Sequence, residues 1–218
     1  ANNQSELLTK IEQPLSKVLA SMENIGFLVD RQGLEKYGDE IETELKKIET
    51  SIHSLAGEEF NVNSPRQLGS ILFEKLKLPY GKKGKTGYST SAQILEKLSG
   101  EHKIVNEILK YRSLSKLKST YCEGIIKLIQ NDGRVRSSFN QTETRTGRIS
   151  SSEPNLQNIP VRTEKGRQLR KFFKAPEGCV LIDADYSQIE LRVLAHVSQD
   201  KNMINAFKNG EDIHAITA

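Results

Sequence analysis

Between Asp30 and Gly57 the apolar side chains Leu34, Tyr37, Ile41, Leu45, Ile48, Ile52 and Leu55 recur at alternating steps of three and four. That spacing draws one narrow stripe along a long helix, with Asp30 as its N-cap and Gly57 just past its end. A second stripe, Val105, Ile108, Leu109, Leu117, Tyr121, Ile125 and Leu128, lies within about His102 to Gln130. A single stripe is buried best against another, so the two predict an arm of long antiparallel helices. Before them, Ser5 is placed to cap a helix carrying Leu8, Ile11, Leu15, Val18, Leu19 and Met22, with a kink at Pro14 and a stop at Gly26. Phe27-Leu28-Val29 then bridges to Asp30. Between the long helices, Ser64 reads as an N-cap and Pro65 as a first helical residue, followed by Leu68, Ile71, Leu72 and Leu76.

The pattern changes after residue 130. Asn131-Asp132-Gly133 is a turn signal before the strand-like Arg134–Phe139. Thr144–Pro160 has neither helical nor strand periodicity and is dense in hydroxyls, amides and arginines. Such side chains can hold a duplex through phosphate, sugar and minor-groove acceptors without reading its sequence, although an ordinary polar linker has the same composition. Next, Val180–Ile182 is a short apolar run that leads into Asp183 and Asp185 and then into apolar-periodic Ile189–Val197. The order is strand, carboxylates, helix, and a strand end is a rigid place from which to hold a cation.

Charge matters here through its clustering. The 218 residues carry a formal charge of only +4. Within them, Gly81–Thr90 interleaves glycines with Lys82, Lys83 and Lys85, which reads either as a solvated loop or as a grip on phosphates. Arg162, Lys165, Arg167, Arg170, Lys171 and Lys174 are opposed locally only by Glu164. If ~4 to 6 of these cations neutralised phosphates, log affinity would fall with log salt at a slope of roughly −4 to −5. The two cysteines, Cys122 and Cys179, lie in unrelated contexts and suggest reduced thiols rather than a disulfide framework. No apolar run approaches ~18 residues and the first residues have no signal-peptide character, so a soluble, cytoplasmic protein without a membrane partner is expected.

Asp183 and Asp185, at i and i+2, project from the same strand face. Hard oxygen ligands without a nearby thiol favour Mg²⁺ or Mn²⁺ over zinc, and such a site suits phosphoryl transfer. The plainer alternative is that these acids are solvated and that Ser187 and Glu190 form a capping box at the start of the helix.

Asp185-Tyr186-Ser187-Gln188-Ile189-Glu190-Leu191-Arg192 resembles, residue for residue, the first catalytic motif of family A DNA polymerases. Thr144–Pro160 is similar to the primer-template contact region of that family. In the same order, Asn63-Ser64-Pro65 with Gln67-Leu68, Lys85–Thr90, Tyr111-Arg112 with Lys116–Tyr121, and Asp212-Ile213-His214 also match it. The resemblance covers nearly the whole chain.

The resemblance implies an α+β fold: a helical thumb with long paired helices and part of an antiparallel-sheet palm, truncated before the fingers. Its boundaries would be a leading helix at residues 1–25 packing near the palm, thumb at 26–129, the N-terminal part of the palm at 130–209, and the start of the fingers at 210–218. Asp185 would be the catalytic carboxylate on two Mg²⁺ ions, or Mn²⁺, with the Tyr186 carbonyl as a further ligand. Asp183 loses its role, because that position is not a metal ligand in the family. Ser187, Gln188, Glu190 and His214 would face the incoming deoxynucleoside triphosphate, with Glu190 excluding a 2′-hydroxyl. Lys82, Lys83, Lys85, Lys116, Arg148, Asn155 and Gln157 would contact primer-template DNA. The implied activity is template-directed DNA synthesis in replication and repair by a monomeric parent. The triphosphate-binding fingers helix and the second catalytic aspartate of the family have no counterpart in this sequence, so the chain alone is expected to be inactive. Its alternative function is that of a non-catalytic duplex-binding module; a two-metal nuclease is disfavoured, because no further acid cluster resembles such a site.

Overall fold

The computed structural model describes residues 4–79, 84 and 87–211. At the start, α1 (Ser5–Leu7) passes through a π-type turn at Leu8–Glu12 into α2 (Gln13–Ile25). Pro14 has no N–H for the carbonyl four residues back, and the kink expected there takes the form of this widened turn. The helix stops at Gly26, whose φ is 60° and where an added Cβ would lie 2.6 Å from the Val135 carbonyl oxygen. Only glycine fits that approach.

After β1 (Phe27–Val29) comes α3 (Arg31–Ala56), which begins where expected: the Asp30 carboxylate accepts the Gly33 N–H at 3.0 Å. It ends at Gly57 in the left-handed conformation. Ser64 caps α4 (Pro65–Gly69), which continues as a π-type turn over Ser70–Lys75. Then follow α5 (Ala92–Lys97) and α6 (Lys103–Lys116), the latter capped by His102 Nδ1, which accepts from the Ile104 N–H. The helical path runs on through Leu117–Glu123 into α7 (Gly124–Leu128).

The antiparallel pairing of α3 with this second helix can be read from three points along it. Arg31 donates to the carbonyls of Ile126 and Ile129, a Cβ at Gly38 would sit 3.6 Å from Cys122, and Lys118 meets Glu42 at 3.3 Å. The two stripes close on one core, in which Leu34, Ile41, Ile52, Ile104, Val105 and Ile108 are buried. Each such side chain contributes about 1.5–3 kcal/mol relative to remaining exposed. Leu128, in the last turn, lies outside that core and is exposed.

The strand expected over Arg134–Phe139 is two strands. β2 (Arg134–Val135) pairs antiparallel with β1, while β3 (Ser138–Asn140) pairs antiparallel with β4 (Ser150–Ser152). The chain changes sheets at Arg136-Ser137, where the Ser137 side chain is buried. α8 (Glu164–Leu169) is capped by Thr163, whose hydroxyl accepts the Gly166 N–H at 3.1 Å, and β5 (Phe173–Lys174) completes a sheet of order β2-β1-β5.

These elements belong to one compact unit, Ala1–Gly178; Cys179–Ala218 forms another. The second unit holds α9 (Ile189–Ser198) and α10 (Lys201–Asn209), joined by Asp200, which caps α10 by accepting the Met203 N–H. Arg192 lies 4.5 Å from the centre of the Phe207 ring, a cation–π contact between the two helices. Here the sequence reading needs correction. Val180–Ile182 forms no strand, and Val180 and Ile182 are 79% and 85% exposed. A strand needs a neighbour for its N–H and C=O groups, and none of the described residues pairs with this run. Both cysteines are free, Cys122 buried and Cys179 exposed. No described helix is long and apolar enough to cross a membrane.

Candidate nucleic-acid interface and carboxylate segment

In the first unit an open cleft of about 1080 Å³ lies between α6 with its continuation and the segment Gln157–Lys165. Leu109, Leu117, Ile159 and Pro160 form its apolar floor, with Lys116, Gln157, Asn158 and Arg162 among its polar lining. Lys116 and Gln157, expected from sequence to contact DNA, are thus brought to one surface from segments 41 positions apart. Both are exposed.

The wall formed by Gln157–Lys165 is fastened to the helices at both ends. Tyr121 Oη donates to the Asn158 carbonyl, and Tyr37 Oη donates to the Lys165 carbonyl at 2.7 Å. Burial pushes the Tyr37 phenol up to about 12, so it stays a donor throughout the physiological range. Lys165 also pairs with Glu44. These contacts were not expected, because Tyr37 and Tyr121 sit in apolar stripes and periodicity reports the ring rather than the hydroxyl at its tip.

Arg148 lies in an exposed turn closed by a hydrogen bond from Thr144 Oγ1 to the Arg148 carbonyl. Asn155 and Gln157 are exposed around a short 3₁₀ turn, Leu156–Asn158. Part of each amide is engaged internally: Asn155 Oδ1 accepts the Gln157 N–H at 3.0 Å, and Gln157 Nε2 donates to the Ile149 carbonyl at 2.8 Å. The Asn155 Nδ2 donor and the Gln157 Oε1 acceptor remain available to a ligand. In the basic group, Lys165 is paired with Glu44 and Lys174 with Asp30, whereas Arg162, Arg167, Arg170 and Lys171 are exposed and pair with no acid among the described residues. The surface that could meet phosphates is therefore smaller than the sequence count.

A second tether holds the strap after Gly87. Arg112 donates to the Thr90 carbonyl and, at 3.0 Å, to Thr90 Oγ1, and Tyr88 packs on Phe73 with ring centres 5.0 Å apart. Lys82, Lys83 and Lys85, and likewise His214, lie outside the described residues.

In the second unit, Asp183 and Asp185 lie two apart on an exposed irregular segment. Tyr186 is also exposed, Ser187 and Gln188 form a turn, and Glu190 sits in the first turn of α9, where an acid suits the helix dipole. Gln188, not Ser187, occupies the N-cap position, in the left-handed region and without a side-chain cap bond, so the capping box does not form. The Ser187 carbonyl instead accepts from Arg192 Nε at 2.9 Å. Asp185 and the Tyr186 carbonyl are oxygen donors of the kind Mg²⁺ takes. However, no three His, Cys, Asp or Glu side chains gather among the described residues. The donors suit such a cation in kind but not in number.

A family-wide sequence comparison matches residues 31–218 to DNA polymerase family A. The chain belongs to that family. Over its full length it is 56% identical to DNA polymerase I of Geobacillus stearothermophilus and 55% identical to DNA polymerase I of Bacillus subtilis (strain 168). It spans about a quarter of the length of these curated relatives, 25% of each. Among solved structures, the POL domain of Pol1 from M. smegmatis, in complex with DNA primer-template and dNTP, superposes with a TM-score of 0.87 at 41% identity. That match covers 97% of this chain and 38% of the other. The helical fold with small antiparallel sheets is therefore that of part of a family A polymerase domain.

Proposed function

We propose that this chain is the part of a DNA-directed DNA polymerase that holds the primer-template duplex and carries the first catalytic aspartate. The observation that supports this best is the likeness, over 97% of the chain, to a polymerase domain described with primer-template and dNTP. In this reading residues 26–129 are the thumb, 130–209 the first part of the palm, and the intact protein is monomeric and cytoplasmic.

The cleft holds the duplex. Lys116 and Arg162 meet phosphates, while Arg148, Asn155 Nδ2 and Gln157 Oε1 face sugar and minor-groove atoms that every base pair presents. Asp185 and the Tyr186 carbonyl would hold a divalent cation, Mg²⁺ or Mn²⁺, which when bound neutralises charge developing on the phosphates. Ser187 and Gln188 face the incoming nucleotide, and Glu190 lies beneath its sugar, where a carboxylate and its helix backbone exclude a 2′-hydroxyl.

The 218-residue chain alone binds duplex without extending it, because one aspartate cannot complete the two-cation arrangement that phosphoryl transfer requires. A primer-extension assay with Mg²⁺ and deoxynucleotides should show synthesis by the intact protein and none by the chain; template-dependent synthesis by the purified chain would overturn this part. With five phosphates neutralised, by Lys116, Arg162, Arg167, Arg170 and Lys171, the salt slope of duplex binding by the chain should be roughly −4 to −5. A slope near zero would remove the duplex-holding role.

A further inference from the structure

Ser137 and Ser151 are both buried, yet neither belongs to an apolar pattern or to the surface that meets a ligand. Their hydroxyl oxygens lie 2.6 Å apart. The Leu156 N–H donates to Ser151 Oγ at 3.2 Å, and Ser137 Oγ lies 2.8 Å from the Pro154 carbonyl oxygen. Each hydroxyl has one hydrogen; Ser137 Oγ also lies 3.1 Å from the Ser152 carbonyl and Ser151 Oγ 3.3 Å from that of Pro154, but the shorter contacts make one relay: Leu156 N–H to Ser151, Ser151 O–H to Ser137, Ser137 O–H to the Pro154 carbonyl. The two ends of this relay are the two peptide groups on either side of Asn155. One is the Pro154–Asn155 peptide, held through its oxygen, and the other is the Asn155–Leu156 peptide, held through its N–H. The backbone torsions of Asn155 are thereby fixed at φ −76° and ψ 95°, and its Oδ1 is occupied by the Gln157 N–H. The Nδ2 amide group, with two N–H donors, has no partner among the described residues and belongs to an exposed side chain.

We propose that Ser137 and Ser151 are positioning residues for primer-template binding, acting through Asn155 by clasping both of its peptide groups. This rests on the reading of Asn155 as a duplex contact. The clasp presents one amide NH₂ group in one orientation, so the entropy of ordering that side chain is met on folding rather than on binding. Because the relay is uncharged, it tunes affinity without changing how many phosphates are neutralised.

The test is a double-mutant cycle in the intact protein, read as the Kd for a fluorescent primer-template at fixed salt and as its salt slope. Asn155→Ala should weaken binding by about five- to tenfold, the worth of one hydrogen bond lost. Ser151→Ala in the native background should weaken it by about three- to tenfold and leave the salt slope unchanged. In the Asn155→Ala background, Ser151→Ala should have no further effect. Losses that multiply, or a Ser151→Ala protein that binds like wild type, would overturn the proposal. If Asn155→Ala itself binds normally, the duplex contact fails and the positioning role fails with it. Should Ser151→Ala not fold, Ser137→Ala carries a milder form of the cycle: Ser151 still accepts from Leu156 and can turn its hydrogen to the Pro154 carbonyl at 3.3 Å, so the loss should be about two- to threefold and absent in the Asn155→Ala background, and a loss that persists there would overturn the proposal.

Discussion

Two stretches of this chain were expected to carry its function, and they are built in opposite ways. Thr144–Pro160 has no regular pattern but is held by hydrogen bonds from two other parts of the fold, Ser137 between β2 and β3 and Tyr121 in the second long helix, and its Ser150 hydroxyl donates to the neighbouring Glu143 carboxylate. Cys179–Gln188 has a clear local pattern, strand then acids then helix, yet its apolar and acidic side chains alike are exposed. A surface that only grips a polymer can be completed within one folded unit. Cys179–Gln188, by contrast, brings together no three acidic, histidine or cysteine side chains among the described residues, so on the proposed reading it would contribute one carboxylate to a site rather than enclose one.

The widest separation between the two stretches should appear in chemistry. Asp185→Ala in the intact protein should abolish nucleotide incorporation while leaving the primer-template Kd within about twofold, because Asp185 is read as holding a cation rather than DNA. Retained synthesis in a steady-state incorporation assay would remove Asp185 from the catalytic role.

Stability should separate the packed region from the open one. Ile52→Ala removes a fully buried side chain from the helix pair and should cost about 2–5 kcal/mol in denaturant unfolding. Ile182→Ala, at a position 85% exposed, should change stability by less than about 0.5 kcal/mol. Equal losses would mean that the apolar run is buried in solution.

A smaller effect is set by pH at Asp30, the cap of α3. Its hydrogen bond from Lys174, and then that from the Gly33 N–H, hold the carboxyl below its ordinary value of 3.8. A folded-state pKa below the unfolded one means that the stabilisation is complete above about pH 4 and is lost as pH falls through the lower folded value. Asp30→Asn keeps the cap but not the charge, so its melting temperature should trail wild type near about pH 6 and converge with it at the acid end. The deficit belongs to a surface pair and should be about 0.2–1 kcal/mol. A gap that widens in acid would contradict the assignment.

The smallest effect should come from Asp132. Arg136 holds its carboxyl down to about 2, but the pair lies at the surface. Asp132→Asn should shift the thermal midpoint hardly at all, and any shift should vanish in high salt.

The helix pair was legible because both stripes and both ends of α3 obey local rules: Leu34 to Leu55 repeat at helical spacing, Asp30 caps and Gly57 stops. Where a long-range partner decides the outcome, periodicity was silent or misleading. Ser150–Ser152 pairs with β3 although three serines carry no alternation. Val180–Ile182 has strand composition and no partner. Likewise the two acids looked equivalent by spacing, and only the resemblance of Asp185–Arg192 to a polymerase motif separated Asp185 from Asp183. The buried hydroxyls of Ser137 and Ser151 gave no signal at all, since a serine in an irregular segment reads as surface.

The hydroxyl of Tyr37 ties α3 to the cleft wall near its first turns, and α3 continues for nineteen residues to Ala56. At about 1.5 Å per residue that is an arm of roughly 29 Å beyond the tie. A tilt of only about 5° about this fulcrum carries the far end through about 2.5 Å, close to the length of a hydrogen bond. Ile52, near the far end, is fully enclosed, and so are Leu34 and Ile41 on either side of the fulcrum. Small looseness there would be multiplied along the arm into lost contact at its end.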